Sequence, residues 1–388
     1  MHSNNVNQCK QARDDLFPYV YALYTTGSNS GAVAVIDPTT DKIIRRIPGL
    51  INPTAMCIDP SGKNLYVLDA FMYTVNIYRT SDFSLVTSPI RVGTTKNPGP
   101  VTVFVDPSGT TAYVANYTEH SVTIIDIDSY EYYTEDIGTG KPFAFASTDN
   151  SGFASNSNFV ACKGDNFTDS VVDIEAGGVI IETLETSDYS FDVTHNPLAA
   201  YPIDIAQGSI ILAAFGLTGS LINLVYDVPG TPNSISLLDN TVSGVSLDNK
   251  WLFCTVDDRN YLKLFKNLAI DSDGNITYDS FKEIASYRGQ DIIRTSQTQK
   301  YVCVTILPTY YPVGGLQIID VDSLSSKFVE LNNVGDMTIF SDTKAYVSEI
   351  NTIRPIDLAT ATALPAIDIG ISNSYVKKII SGYSNQSS

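Results

Sequence analysis

The sequence predicts an all-β fold: a single β-propeller of four-stranded blades, eight of them with seven as the alternative, closed by the C-terminal strand joining the first blade. Three observations predict it. The first is a pair of adjacent apolar residues, sharpest as Tyr-Val. It recurs at Tyr19-Val20, Tyr66-Val67, Tyr113-Val114, Phe159-Val160, Ile211-Leu212, Leu252-Phe253, Tyr301-Val302 and Tyr346-Val347, at intervals of 41 to 52 residues. A period of that length marks a repeated supersecondary unit. The second is the content of each unit, short runs alternating at period two between turn residues, with no apolar spacing of helical period. The third is the ends. The first unit has no strand of its own before Tyr19, and the chain finishes in a lone run, "NSYVKKIIS", 373–381. A ring uses that last run to complete the first blade, which removes exposed sheet edges.

In chain order the units span 19–48 plus the C-terminal strand, then 53–92, 99–138, 142–186, 200–238, 242–286, 290–331 and 334–370. Residues 99–138 show the pattern best: "PVTVFVDPSG", "TAYVAN", "HSVTIIDID" and "YYTEDIG" are four β runs separated by turn chemistry. The turns Asp59-Pro60-Ser61-Gly62 and Asp106-Pro107-Ser108-Gly109 are structural: Asp bonds forward to the backbone, Pro presets φ and Gly accepts positive φ. Residues 187–200 form a longer loop between blades, the weakest point of the count, and one decorated blade over 142–238 would make the ring seven. The uncharged stretch 207–226 approaches the length of a membrane span, yet Gly216, Thr218, Gly219, Ser220 and Asn223 split it into two strands and a turn. Around the propeller, 17–382, lie a polar N-terminal arm, 1–16, and a polar tail, 383–388.

The alternation of "YVAN" (113–116) with "SVTIID" (121–126), sharp over 53–138 and partly repeated over 290–370, resembles the YVTN family of β-propeller repeats. The third-strand Ile-Asp of that family stands here at Ile36-Asp37, Ile125-Asp126, Ile319-Asp320 and Ile356-Asp357. The middle units depart from it, with Cys162, Ala214 and Thr255 in the place of Asn116. The resemblance implies a non-enzymatic structural or interaction protein of a bacterial surface or extracellular type of assembly, binding partners through loops and rim. The wider set of related propellers includes sugar-lactone hydrolases and an antibiotic-opening lyase, so it also implies an alternative: an enzyme of lactonase or lyase type with carboxylates such as Asp257 or Glu349 at the channel mouth. A binder of carbohydrate or another small ligand is a third.

Charge narrows the partners. With 42 acidic against 24 basic residues the net charge is -18, which excludes nucleic acid and anionic membrane surfaces as ordinary partners and leaves a protein partner or self-assembly. The arm lacks the apolar core of a secretory signal, so the expectation is a protein of the cytoplasm or of a cell- or spore-surface assembly, without membrane insertion. Four of the five cysteines, Cys57, Cys162, Cys254 and Cys303, sit in apolar runs as small hydrophobes. Cys9, in the polar arm, is the candidate intermolecular thiol.

The chain is poor in catalytic groups. It has neither a G-x-S-x-G elbow nor an H-E-x-x-H pair, and its three histidines, His2, His120 and His195, have no matched partner in sequence, so no catalytic residue is assigned. Eight positions follow the second strands: Ala22, Asp69, Asn116, Cys162, Ala214, Thr255, Val304 and Glu349. Two are acidic, too few for a ligand ring. No cofactor is expected unless Asp271, Asp273 and Asn275 of "DSDGN" hold calcium, the start of an oxygen-rich loop that Ile276 and Lys282 leave incomplete. Tyr310 and Tyr311 in "TILPTYYPVGG", with Tyr130 and Tyr132 in "YEYY", are the candidate binding aromatics, because rigid Tyr beside Pro offers contact area at low entropic cost. Asn116, Asn166, Asn275 and Asn385 match the N-x-[ST] glycan pattern.

Overall fold

In the computed structural model every regular element among the described residues is a β-strand. Those residues are 18–27, 30–138, 140–147, 279–287, 290–296, 298–308 and 313–382, together with the strands between 158 and 277. The strands build antiparallel sheets of consecutive meanders, as in a β-propeller. In the sheet of Pro53–Ile58, Asn64–Asp69, Thr74–Arg79 and Ile90–Arg91 each strand pairs with the next. The same order recurs over 100–136, 140–185, 198–236, 290–331 and 334–363, with Ile367–Asp368 also pairing Thr352–Asp357, and over 241–285 with a separate hairpin, Ala269–Ile270 and Ile276–Thr277, before the fourth strand. The sheet at the N-terminal end differs. Val20–Thr26 lies between Gly31–Asp37 and the C-terminal strand Ser374–Ile380, with Tyr24 opposite Val376 and Leu23 opposite Lys378. The stretch 207–226 contains two strands, Ile211–Ala214 and Asn223–Val225. Among the described residues no helix is long and apolar enough to cross a membrane.

Sheet stacking explains the Tyr-Val pair. Successive residues of a strand point to opposite faces, and here both faces meet another sheet, so the run is apolar throughout rather than alternating. Tyr66 packs with Val103, Val105 and Val114 of the following sheet, whereas Val67 packs with Tyr21, Leu23 and Val33 of the preceding one; all are buried. Tyr346 and Val347 divide in the same way.

The turns follow side-chain chemistry. Asp59 Oδ1 accepts the Lys63 N–H at 3.0 Å and Asp106 Oδ1 accepts those of Thr110 and Thr111, while Gly62 and Gly109 take φ of 69° and 70°. Each Ile-Asp aspartate closes the turn after the third strand. Asp37 binds Thr39, Asp126 binds Ser129, Asp320 binds Ser323 and Asp357 binds Thr360, and these hydrogen bonds hold all four carboxyls below their ordinary range. The left-handed residue that ends each turn is Asp41, Tyr130, Leu324 or Ala361. Tyr130 therefore holds a turn position, half-buried against the apolar cluster of Tyr66 and Val114.

Candidate functional site

In the sheets of 53–91, 100–136 and 334–368 the loop that enters the first strand meets the turn between the second and third strands. Carboxylates latch the two together. Asp69, 1% exposed, accepts the N–H groups of Ile51 and Asn52 from the incoming loop and of Phe71 and Met72 from its own turn. Glu119 accepts from both the backbone and the hydroxyl of Thr94 and of Thr95, at 2.7 to 3.0 Å. Gly93, at φ 67°, permits this approach, since a Cβ there would stand 2.6 Å from the Glu119 carboxylate. Burial pushes the Glu119 pKa up, but the four donors outweigh it and bring it down to about 2.

Glu349 is the third latch, and the one that opens onto a cavity. Its Oε1 accepts the Asn332 N–H at 3.2 Å and its Oε2 the Arg354 Nε–H at 2.9 Å. Arg354 also donates through Nη1 to the Leu364 carbonyl at 3.1 Å, and its side chain keeps 27% of its surface exposed. Glu349, Arg354 and Ser374 line a cleft of about 410 Å³ together with Asn332, Asn333 and Asn351. The Ser374 hydroxyl is buried without a hydrogen-bond partner, in a residue only 3% exposed. An orphaned buried hydroxyl costs about 1–3 kcal/mol, which a ligand oxygen would recover.

Three left-handed residues converge on this cleft: Asn333 (φ 55°), Asn373 (φ 59°) and Ile350 (φ 29°). Asn tolerates that conformation, but for a β-branched residue it is an outlier, and such strain concentrates at functional sites. A smaller cleft of about 200 Å³ adjoins the first through Asn333 and Ile350, walled by Pro308, Val334, Tyr375 and Val376. Below it, Asp336 Oδ2 accepts the Ile379 N–H at 2.7 Å and lies 4.0 Å from Lys378 Nζ. Burial pulls the Lys378 pKa down, offset in part by Asp336.

Of the described residues singled out from sequence, Glu349 alone lines this cleft. Tyr132 is half exposed on an outer strand beside Tyr133. His120 occupies a turn at φ 59°, its carbonyl accepting the Ile137 N–H. Asn116 is fully buried, its Nδ2 donating to Ser121 and Thr123, so as a glycan acceptor it is inaccessible. Cys162 and Cys303 are buried and Cys57 half-buried, each outside any disulfide; burial pushes the Cys57 and Cys303 thiols up. Tyr310, Tyr311, Asp257, Asp271, Asp273, Asn275, His195 and Cys9 lie outside the described residues. Among the described residues no group of three or more His, Cys, Asp or Glu side chains is placed to hold a metal ion. Sequence reasoning missed Arg354, Ser374 and the cleft asparagines. A five-residue spacing from Glu349 is no motif, and Asn in a loop reads first as a turn residue.

Comparison with known proteins bears on this site. A family model described as lactonase, 7-bladed β-propeller, matches residues 21–139. No curated protein matches. Among solved structures, the dihydro-heme d1 dehydrogenase NirN aligns with a TM-score of 0.62 at 15% identity, over 94% of this chain and 76% of that one. AztD from Citrobacter koseri aligns at 0.61 with 13% identity, over 94% and 99%. Virginiamycin B lyase from Staphylococcus aureus aligns at 0.51 with 8% identity, over 77% and 92%. At such identities these likenesses show the β-propeller fold and nothing finer.

Proposed function

We propose that the protein is a propeller enzyme of lactonase type, opening a small cyclic ester in the cleft of Glu349 and Arg354. The match of residues 21–139 to the lactonase propeller model carries this role, and it favours the enzymatic alternative over a purely structural part in an assembly. The cleft supplies matching chemistry. Arg354 offers its remaining N–H groups, and Ser374 its unpaired hydroxyl, to the carbonyl oxygen on which charge develops. Glu349 Oε2 accepts from Arg354 and, at 3.4 Å, from Thr352, whereas Oε1 accepts one bond and keeps a lone pair that takes the proton of the attacking water. The water oxygen bonds to the carbonyl carbon, the ring acyl C–O bond breaks, and the alkoxide takes back the proton to give the hydroxy acid.

The test is hydrolysis of a lactone panel, followed by proton release, with Glu349→Gln and Arg354→Met. A general base contributes about 10²–10⁴-fold, so Glu349→Gln is expected to lower kcat by at least a hundredfold with the fold intact. Equal activity in the wild type and both variants, or none on any lactone, refutes the role.

We further propose that the ring has eight YVTN-type blades, although the matching model describes seven. The support is eight meander sheets of four or more strands and a chain of contacts between innermost strands. That chain runs from Pro53–Ile58 round to Val334–Ser341, then to Ser374–Ile380 and back to Pro53–Ile58.

A further inference from the structure

We propose that the cleft is divided into a polar and an apolar subsite. It takes a lactone, or the derived hydroxy acid, that carries a short alkyl or aryl substituent rather than a bare sugar lactone. The inference rests on the lactonase role for its head group. Its own evidence is the second cleft. The two cavities, about 410 and 200 Å³, share Asn333 and Ile350 as lining residues, and together they fall within the roughly 300–1,000 Å³ of small-molecule sites.

Their linings differ in kind. The larger presents Arg354, the orphaned Ser374 hydroxyl and asparagines, a surface that pairs with carbonyl, carboxylate and hydroxyl oxygens. The smaller is lined by Pro308, the buried Val334 and Val376, and the large side chains of Ile350 and Tyr375, which are 46% and 51% exposed, with Asn333 and Ser348 as its polar members. An exposed Ile held at φ 29° beside an exposed Tyr leaves apolar surface in water at the mouth of a polar site. An apolar substituent projecting from a head group at Arg354 would cover both.

The test uses γ-alkyl γ-lactams, which mimic the lactone ring but resist opening, in a series from methyl to hexyl, with binding read by calorimetry. Each CH₂ that enters the apolar subsite is expected to tighten binding about two- to fourfold, so that butyl exceeds methyl by at least about eightfold. The double variant Ile350→Asn/Tyr375→Ser is expected to flatten the series, whereas Ile44→Ser, an exposed apolar residue elsewhere, leaves it steep. In parallel, γ-alkyl γ-lactones are assayed for hydrolysis. Lactams that bind alike at all chain lengths, bind not at all, or keep their steep series in the double variant overturn the inference. Hydrolysis lost in Glu349→Gln would still leave the lactonase role standing. A steep series flattened by the double variant, with no lactone opened, would instead uphold the two subsites and remove the enzymatic role.

Discussion

Replacing Glu119 by Gln tests whether the carboxylate latches hold the loops that frame the cleft end of the propeller. The carboxylate accepts four hydrogen bonds from Thr94 and Thr95, two of them from backbone N–H groups. The amide has one acceptor oxygen, so its NH₂ group would face donors that water must then satisfy. The carboxyl stands at about 2 against an ordinary 4.5. That difference corresponds to ~3 kcal/mol at most. Glu119 is partly exposed, and solvent screening brings the expected contribution to about 1 kcal/mol. The sign is that of a depressed acid: the stabilisation is fully present above pH 4.5 and disappears as pH falls towards 2. Urea unfolding of Glu119→Gln is therefore expected to show a deficit of about 1 kcal/mol at pH 7 that narrows at pH 3. Hydrogen exchange should accelerate at the Thr94 and Thr95 amides before elsewhere. A deficit constant from pH 7 to pH 3, or unchanged exchange at those two amides, would refute the latch.

Two further substitutions test the sheet packing. A Cβ on Gly315 would lie 2.3 Å from the Val329 carbonyl oxygen and 2.5 Å from the Phe328 ring, so Gly315→Ala is expected to cost about 1–3 kcal/mol in chemical denaturation; a neutral outcome would mean that the strands separate freely. Tyr346→Phe removes the hydroxyl that donates to Asp41 at 2.6 Å while Lys344 stays paired with Asp41 at 2.9 Å; the expected loss is about 1–2 kcal/mol, and no loss would mean that the hydrogen bond adds nothing to the ion pair.

The fold was legible where the physics is local and repeated. Tyr66-Val67 and its equivalents declare a strand buried on both faces, and Asp-Pro-Ser-Gly declares a turn with its own acceptor and its own glycine. The unit 99–138, read from alternation alone, contains strands at 100–105, 111–116, 121–126 and 132–136. The cleft was not legible in the same way. Arg354 belongs to the third strand of one sheet, Asn332 to the loop entering it, and Ser374 to the strand that pairs with Val20–Thr26. Their approach depends on the register of strands from distant parts of the chain, and no local pattern encodes it. Glu349 was visible only because the repeat singled out its position.

The same repeat indicates how a site arises on a scaffold whose units are alike. Asp69, Glu119 and Glu349 each bind backbone N–H groups of an incoming loop, so the latch itself is structural. At Asp69 the carboxylate accepts four backbone N–H groups, and at Glu119 it accepts from the backbone and hydroxyl of two threonines. At Glu349 one oxygen accepts from the loop and the other from Arg354 and Thr352. A carboxylate that holds a loop in two sheets here also orients a cation over a cavity. The proposed chemistry at this end of the propeller thus adds one arginine and one unpaired hydroxyl to a carboxylate latch of the kind found in two other sheets.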